Sequence, residues 1–121
     1  MARILIVDDS PTGQLELSKM LEKHGHEIFT AADGEEGVTT AAEQIPDLIL
    51  MDIVMPKLNG FQATRKITQN ESTSHIPVVL VTTKNQETDR MWGKRQGAKG
   101  YLVKPVEEDT ILSTLNDLLP A

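Results

Sequence analysis

The chain has 121 residues and a formal charge of −6, which suits one domain with an ordinary apolar core. The absence of cysteine excludes a disulfide framework and thiolate chemistry, and the acidic balance opposes nucleic-acid binding through a broad phosphate-contacting face. No signal peptide or membrane-spanning run is recognisable, so we expect a cytoplasmic protein with a single domain over residues 1–121, no second module and no membrane insertion.

The first part of the chain alternates strand and helix signals. An apolar run at Ile4–Val7 predicts a strand, and Ser10 followed by Pro11 predicts the start of a helix that Gly25 ends. The apolar spacing of that helix predicts a buried stripe, formed by Leu17, Met20, Leu21 and His24. Glu27–Ala32 predicts a weaker second strand.

A second helix and a third strand follow. Asp33 and Glu36, three residues apart, resemble a capping box at the start of the helix, and Pro46 ends it. The predicted buried stripe of this helix consists of Val38, Ala41, Ala42 and Ile45. The short apolar run inside Asp47–Asp52 predicts a fully buried strand that delivers the carboxylate of Asp52 at its end.

The same alternation continues to the end of the chain. A loop at Met55–Gly60 precedes a third helix carrying Phe61 and Ile67, a polar surface loop spans Gln69–His75, and Pro77–Thr82 predicts a β-branched fourth strand. The fifth strand is predicted at Tyr101–Val103, and the last helix has an apolar stripe formed by Ile111, Leu112, Leu115, Leu118 and Leu119.

The fourth predicted helix, Asn85–Gln96, has few apolar residues apart from Met91 and Trp92. We therefore expect it to be the least firmly anchored helix. Trp92 is interpreted equally well as a partly buried packing residue or as a contact for a partner.

Five strands alternating with five helices predict an α/β fold, a doubly wound parallel five-stranded sheet of the (βα)5 type with helices on both faces. If the strand order is the flavodoxin-like 2-1-3-4-5, the first and third strands are neighbours. Asp8, Asp9 and Asp52 then lie in one pocket, and Thr82 and Lys104 end the fourth and fifth strands at the same edge of the sheet.

Close carboxylates repel one another, and a divalent cation is the simplest compensation. All-oxygen ligation by Asp8, Asp9 and Asp52 suits Mg²⁺ or Mn²⁺ better than Zn²⁺. No pair of histidines has ligand spacing, so His24 and His26, like His75, are interpreted as structural or solvated.

Taken alone, Asp52 would be a loop or helix cap, Thr82 a packing residue and Lys104 a solvated lysine. Their shared position at strand ends instead predicts a phosphoryl-transfer site. Asp52 is the candidate nucleophile, Lys104 supplies positive charge, and the Thr82 hydroxyl donates to a phosphoryl oxygen.

Five segments resemble the motifs of response-regulator receiver domains, the CheY-like family. They are Ile4–Asp9, Leu50–Asp52, the Met55-Pro56 pair with Gly60, Val81-Thr82, and Tyr101–Pro105. The resemblance spans the chain and implies a signalling protein that is not an enzyme beyond its own phosphorylation and dephosphorylation.

The resemblance also implies roles for individual residues. Asp52 accepts phosphate from a histidine kinase of the chemotaxis type, and Thr82 and Lys104 contact the phosphoryl group. The magnesium ligands are Asp9, Asp52 and the main-chain carbonyl of Val54, with Asp8 acting through water. Thr82 and Tyr101 form a switch that reshapes the face made by the fourth helix, the fifth strand and the fifth helix. A cis peptide is implied at Lys104-Pro105.

A narrower resemblance, over Met20–His26, Asn59–Arg65 and Thr82–Gly97, is to stand-alone receivers that control twitching motility by type IV pili. It implies an output partner in the pilus machinery. The chain departs from the commoner receiver pattern at Asn59, Thr83 and Val106. The output surface and the dephosphorylation rate are the two properties that these departures would change.

Four alternatives to a phosphorylated effector stay open at this point. These alternatives are a phosphate sink for a competing regulator, an inert scaffold, a flavodoxin-like flavin-binding carrier and a haloacid-dehalogenase-like phosphatase. Asp8 and Asp9 oppose the flavin alternative, because they would repel an anion in the first loop. The phosphatase needs a second acid two residues after its nucleophile, where this chain has Val54.

Overall fold

The computed structural model describes residues 1–119. Its sheet contains five parallel strands, β1 (Arg3–Val7), β2 (Glu27–Ala31), β3 (Leu48–Met51), β4 (Val78–Thr82) and β5 (Gly100–Val103). The helices are α1 (Pro11–Glu22), α2 (Gly34–Gln44), α3 (Gly60–Gln69), α4 (Glu87–Arg95) and α5 (Glu108–Leu118). The strand order is β2-β1-β3-β4-β5, so the predicted doubly wound, flavodoxin-like fold is confirmed.

Helices cover both faces of the sheet because the central strands are apolar at every position except Arg3, which begins β1, and Thr82, which ends β4. Side chains of β1 alternate between two cores: Ile4 and Ile6 face α1 and α5, whereas Leu5 and Val7 face α2 and α3. The residues of β3 and β4 divide between the cores in the same way. This burial on both faces explains why the sequences of those strands are continuous apolar runs.

Local side-chain hydrogen bonds begin the helices. The Ser10 hydroxyl accepts from the Gly13 amide at 3.1 Å, and Asn59 and Gln62 form a reciprocal capping box at α3 with distances of 2.9 and 3.0 Å. The capping box predicted at α2 is half correct. Asp33 accepts from the Glu36 amide at 2.8 Å, but the Glu36 carboxylate accepts from the amide of Ala32 at 3.3 Å and not from that of Asp33.

Two predicted buried stripes extend too far. Helix α1 ends at Glu22, so His24 lies beyond it on the surface and places Nε2 3.1 Å from Glu108 Oε2. In α2 the prediction of Ala42 and Ile45 as buried is wrong, because both are exposed.

The buried face of α2 consists of Gly34, Gly37 and Ala41. A Cβ atom at Gly37 would lie 2.9 Å from the Val7 methyl groups, so the small residues allow the helix to approach the sheet closely. Apolar periodicity could not identify this face, because glycine carries no apolar side chain.

The segment predicted as a polar surface loop contains a buried residue. Helix α3 extends through Gln69, and Thr73 is 1% exposed, with its hydroxyl donating to the carbonyl of Ile67 at 2.7 Å. The weak anchoring expected of α4 agrees with its burial, since only Gly93 of this helix is buried. Trp92 is 48% exposed, so packing occupies only part of its surface. Within residues 1–119, no helix is both long and apolar enough to cross a membrane.

Candidate functional site

The parallel register brings five of the predicted site residues to one edge of the sheet. Asp8 and Asp9 follow β1, Asp52 follows β3, Thr82 ends β4 and Lys104 follows β5. Val7 pairs with Met51, and Thr82 pairs with Val103, so these strands end at nearly the same height. Main-chain hydrogen bonds continue the alignment past the strands, from the Asp52 amide to the Val7 carbonyl at 2.9 Å and from the Lys104 amide to the Thr82 carbonyl at 2.8 Å.

The three aspartates form an acidic cluster. One carboxylate oxygen from each of Asp8, Asp9 and Asp52 lies within 4.8 Å of the other two. Asp8 is buried at 1% exposure, Asp52 is half-buried and Asp9 is exposed. The cluster therefore has a buried floor and an open side. An all-oxygen donor set with solvent access fits Mg²⁺ or Mn²⁺, which keep several waters when bound.

Lys104 neutralises part of this acidic cluster. Its Nζ lies 2.8 Å from Asp8 Oδ2 and 3.3 Å from Asp52 Oδ2. The sequence predicted Lys104 beside Asp52, but its shorter ion pair with the buried Asp8 was not foreseen. Because the two residues are separated by 96 positions in the chain, only the strand order brings them together.

Burial and charge shift two pKa values in the site. Burial raises the pKa of Asp52 above its ordinary value, while Lys104 and the Ile53 amide, which donates to Asp52 Oδ1 at 2.7 Å, limit the rise, and Asp8 adds to it. Burial by itself lowers the pKa of Lys104, but the carboxylates of Asp8 and Asp52 outweigh burial and raise that pKa overall. The lysine is thus held in its charged form between the two aspartates.

The predicted switch residues Thr82 and Tyr101 are joined through one residue of the β4–α4 loop. Thr82 is fully buried, and its hydroxyl accepts from the Lys84 amide at 3.3 Å. The Tyr101 hydroxyl donates to the carbonyl of the same Lys84 at 2.8 Å, and the Arg90 guanidinium lies 4.9 Å from the Tyr101 ring centroid. The main chain of Lys84 is therefore hydrogen-bonded to the hydroxyl groups of both predicted switch residues.

Two further predicted features have clear positions. Val54 follows Asp52 by two residues and is 58% exposed, so its side chain adds nothing to the cluster, and only its main-chain carbonyl is a candidate ligand. The Lys104-Pro105 peptide is cis, as the receiver resemblance implied.

Two residues that the sequence analysis did not assign to the site, Gln14 and Gly60, position the main chain of the site but carry no reactive group. Gln14 donates through Nε2 to the main-chain carbonyls of Asp8 at 2.7 Å and Ala31 at 2.9 Å, which connects α1 to the ends of β1 and β2. A Cβ atom at Gly60 would overlap the main-chain oxygen of Asp52, and the Gly60 amide donates to the Ile53 carbonyl at 2.8 Å. Gly60 was noted only as part of a motif, because its close approach to Asp52 is a tertiary contact.

Comparisons with known proteins agree with this geometry. Residues 4–116 match the family model described as response regulator receiver domain. Protein PilH of Pseudomonas aeruginosa is 62% identical over 119 residues, with 98% of each chain covered. Chemotaxis protein CheY4 of Vibrio cholerae superposes with a TM-score of 0.92 at 35% identity, covering 98% of this chain and 99% of that chain.

A second solved structure is informative about the acidic cluster. The receiver domain of sensor histidine kinase PA1611 from Pseudomonas aeruginosa, which holds a magnesium ion in its active site cleft, matches with a TM-score of 0.90 at 32% identity. The match covers 97% of this chain and 96% of that one. The fold, the strand-end cluster and these matches agree, and the chain belongs to the response regulator receiver domain family.

Proposed function

We propose that this receiver accepts a phosphoryl group on Asp52 from the phosphohistidine of a chemotaxis-type histidine kinase. The observation that carries the proposal is the position of the Asp52 carboxylate, half-buried beside Asp8 and Asp9 and 3.3 Å from the ammonium of Lys104. Aspartate becomes a nucleophile when nearby positive charge stabilises the charge on the transferring group.

The donor set supports a magnesium ion at this site. Asp9, Asp52 and the main-chain carbonyl of Val54 would hold it directly, and Asp8 would act through water; Mn²⁺ suits the same oxygens. When bound, the cation neutralises negative charge on the incoming phosphoryl group. The PA1611 receiver, with its magnesium ion in the cleft, is a precedent at 32% identity.

The transfer itself involves few protein groups. A carboxylate oxygen of Asp52 attacks phosphorus as the bond between phosphorus and the donor histidine nitrogen breaks, which leaves an acyl phosphate on Asp52 and returns the electron pair to the imidazole. Lys104 stays charged and bonds a phosphoryl oxygen, and the Thr82 hydroxyl donates to another. Hydrolysis by water later breaks the bond between Asp52 and phosphorus, which restores the carboxylate and releases inorganic phosphate.

The switch follows from the hydrogen bonds around Lys84. When the Thr82 hydroxyl turns toward the phosphoryl group, the Lys84 amide loses its acceptor and the β4–α4 loop rearranges. Tyr101 bonds the same residue, so its contacts change as well. Helix α4 buries only Gly93, which makes it a suitable two-state element at the face formed by α4, β5 and α5.

We further propose that the protein acts in the cytoplasm and controls twitching motility by type IV pili, with an output partner in the pilus machinery. Its 62% identity to PilH supports this assignment. In this proposal the output is the binding of a partner protein to the reshaped face. The same chemistry would serve a phosphate sink for a competing regulator, and rapid loss of phosphate without partner binding would favour that alternative.

The phosphoacceptor is tested with acetyl phosphate and Mg²⁺, followed by intact-mass measurement. The wild type should gain one phosphoryl group, and Asp52→Asn should gain none. Asp117→Asn, at an exposed position of α5, is the matched control and should be labelled like the wild type. Equal labelling of Asp52→Asn and the wild type would show that Asp52 is not the acceptor, and labelling unchanged by EDTA would reject the metal requirement.

The switch is tested through the fluorescence of Trp92, the only tryptophan of the chain, which lies on α4. Acetyl phosphate with Mg²⁺ should change this fluorescence in the wild type and in Thr39→Ala, a control at an exposed position of α2. Thr82→Ala should accept phosphate with little change in fluorescence. The same fluorescence change in phosphorylated Thr82→Ala would exclude the hydroxyl as the coupling group.

The biological role is tested by complementing a Pseudomonas aeruginosa strain that lacks PilH. The wild-type chain should restore normal twitching zones and Asp52→Asn should not. Failure of the wild type, when it is expressed and phosphorylated in that strain, would separate this receiver from the twitching pathway.

A further inference from the structure

A groove between α3 and α4 is not used by the phosphorylation site. It has a volume of about 400 Å³ and is lined mainly by Arg65, Thr68, Trp92, Arg95, Gln96 and Gly97. It lies on the other side of α4 from the groove lined by Arg90, Lys94 and Tyr101. A groove of this volume accommodates one or two side chains of a bound segment.

The lining of this groove includes an exposed aromatic side chain, and the next residue along the chain is an exposed methionine outside the lining. Trp92 is 48% exposed, and its neighbour Met91 is 54% exposed. Tryptophan, methionine and arginine are the side chains enriched at protein interfaces, and tryptophan and arginine dominate their binding energy. A half-exposed tryptophan that lines one groove with two arginines is therefore a suitable anchor for a partner.

The charge of the surrounding segment is opposite to that of the remaining chain. Residues 60–100, from α3 to the start of β5, contain seven Lys or Arg and three Asp or Glu, a net charge of +4 against −10 for the other residues. Within residues 1–119, none of those seven cations lies within 4.0 Å of a carboxylate. The guanidinium groups of Arg65 and Arg95 are thus available to an external anion.

The groove floor is held in place before any partner arrives. The Thr68 hydroxyl of α3 donates to the Gln96 carbonyl at the end of α4 at 2.8 Å. Gly97 follows with φ of 103°, and its Cα approaches the Thr68 side chain so closely that a Cβ atom would lie 2.8 Å from Thr68 Cγ2. A preorganised site loses less conformational entropy on binding.

We propose that the α3–α4 groove binds an acidic segment of a partner protein, whose carboxylates pair with Arg65 and Arg95 while an apolar side chain packs on Trp92. Carboxylates match the planar guanidinium group in bidentate geometry. A short acidic segment is favoured over nucleic acid or an anionic membrane, because a longer polyanion would extend past the groove onto the acidic remainder of the chain.

The proposal is tested on the unphosphorylated full-length chain, so the outcome is independent of Asp52. The probes are fluorescein-labelled peptides in which glutamates flank a single leucine, phenylalanine or tryptophan, with glutamine replacing glutamate in the matched peptides. Fluorescence polarisation measures affinity, and the emission of Trp92 reports directly on the groove when the peptide is unlabelled and contains no tryptophan. Binding should shift this emission to shorter wavelength and should weaken as salt is added.

Variants distinguish the groove from general attraction to positive charge. Arg65→Gln and Arg95→Gln should each weaken binding about fivefold, and Trp92→Ala by about tenfold or more. Lys19→Gln, which removes one charge from an exposed position of α1, should leave the affinity unchanged. Circular dichroism confirms that each variant is folded.

Several results would overturn the proposal. One is that no glutamate peptide binds more tightly than its glutamine counterpart. Another is that Lys19→Gln weakens binding as much as Arg65→Gln, and a third is that Trp92 emission is unaffected by bound peptide. Tighter binding of single-stranded DNA or phosphatidylglycerol vesicles than of every acidic peptide, with the same dependence on Arg65 and Arg95, would replace the protein partner with that ligand.

Discussion

Replacing Lys104 with methionine tests the electrostatics of the site, because methionine keeps the aliphatic stem and removes the ammonium group. The carboxylates of Asp8 and Asp52, with side chains only 2% and 12% exposed, then lose the cation at 2.8 and 3.3 Å. Removing one partner of a buried ion pair costs about 3–5 kcal/mol. The Lys104 side chain is 24% exposed and partly screened by solvent, so we expect a loss of about 2–3 kcal/mol in the free energy of unfolding.

The pH dependence of this loss has a definite sign. Burial and Asp8 already raise the pKa of Asp52 in the folded protein, and removing the lysine raises it further. A folded-state pKa above the unfolded value means that the folded protein binds the proton more tightly. The destabilisation is therefore complete at neutral pH and diminishes as the pH falls through the folded-state pKa.

Urea unfolding followed by far-ultraviolet circular dichroism measures the effect. The difference between Lys104→Met and the wild type should be largest at neutral pH in EDTA and smaller at about pH 4.5, near the pKa of ordinary carboxyl groups. Magnesium should also reduce it, because the ion replaces part of the lost positive charge. Lys19→Met is the control for loss of an exposed lysine. A loss below about 1 kcal/mol, or an equal loss at both pH values, would refute the assigned role of the two ion pairs.

Three further substitutions are predicted from the same contacts. Asp52→Asn should raise the free energy of unfolding at neutral pH, because the raised pKa of Asp52 makes its charged form unfavourable in the folded state; urea titrations should show the gain disappearing below about pH 4. Gly60→Ala should lower the free energy of unfolding by about 2 kcal/mol or more, since a Cβ atom overlaps the Asp52 main-chain oxygen, as thermal or urea unfolding would show. Glu108→Gln should lower the free energy of unfolding only slightly, because the pairs of Glu108 with Lys23 at 2.8 Å and His24 at 3.1 Å are solvent-exposed. The two pairs lower the pKa of Glu108, so unfolding at several pH values should show the effect complete above the pKa of an ordinary glutamate and lost as the pH falls through the lowered pKa.

Each of these has an outcome that contradicts it. For Asp52→Asn, the contradicting result is a variant that is no more stable than the wild type at neutral pH. For Gly60→Ala, the contradicting result is a gain in stability, which is what a glycine-to-alanine change produces at a helix position with space for the methyl group. For Glu108→Gln, the contradicting result is an equal loss of stability in high and low salt, because salt weakens a solvent-exposed ion pair.

Much of the site was predictable because it depends on local pattern. All strands except β2 are short apolar runs that end in or lead directly to a polar residue, and in a parallel sheet such residues share one edge. The positions of Asp8, Asp52, Thr82 and Lys104 therefore followed once the alternation of strands and helices was recognised. The helix starts predicted at Ser10 and Asp33 were equally local, since a cap bonds an amide only a few residues away.

The errors arose where burial depends on what lies opposite. The stripe predicted for α2 included Ala42 and Ile45, whereas the helix packs on Gly34 and Gly37, which have no apolar side chain to signal burial. Thr73 was placed in a polar loop, although its hydroxyl bonds a carbonyl inside the fold. Polarity along the chain does not show whether a polar group finds a buried partner.

By itself, then, the sequence determined the order of strands and helices, the apolar strand interiors and the set of reactive residues at the strand ends, because these depend on residue type and spacing over a few positions. The tertiary structure alone decided that Lys104 pairs with Asp8 as well as Asp52, that Lys84 joins Thr82 to Tyr101, and that a half-exposed Trp92 lines one groove with Arg65 and Arg95. Those contacts join elements far apart in the chain, and they depend on strand register and on how closely each helix packs against the sheet. No periodicity within a single element contains that information.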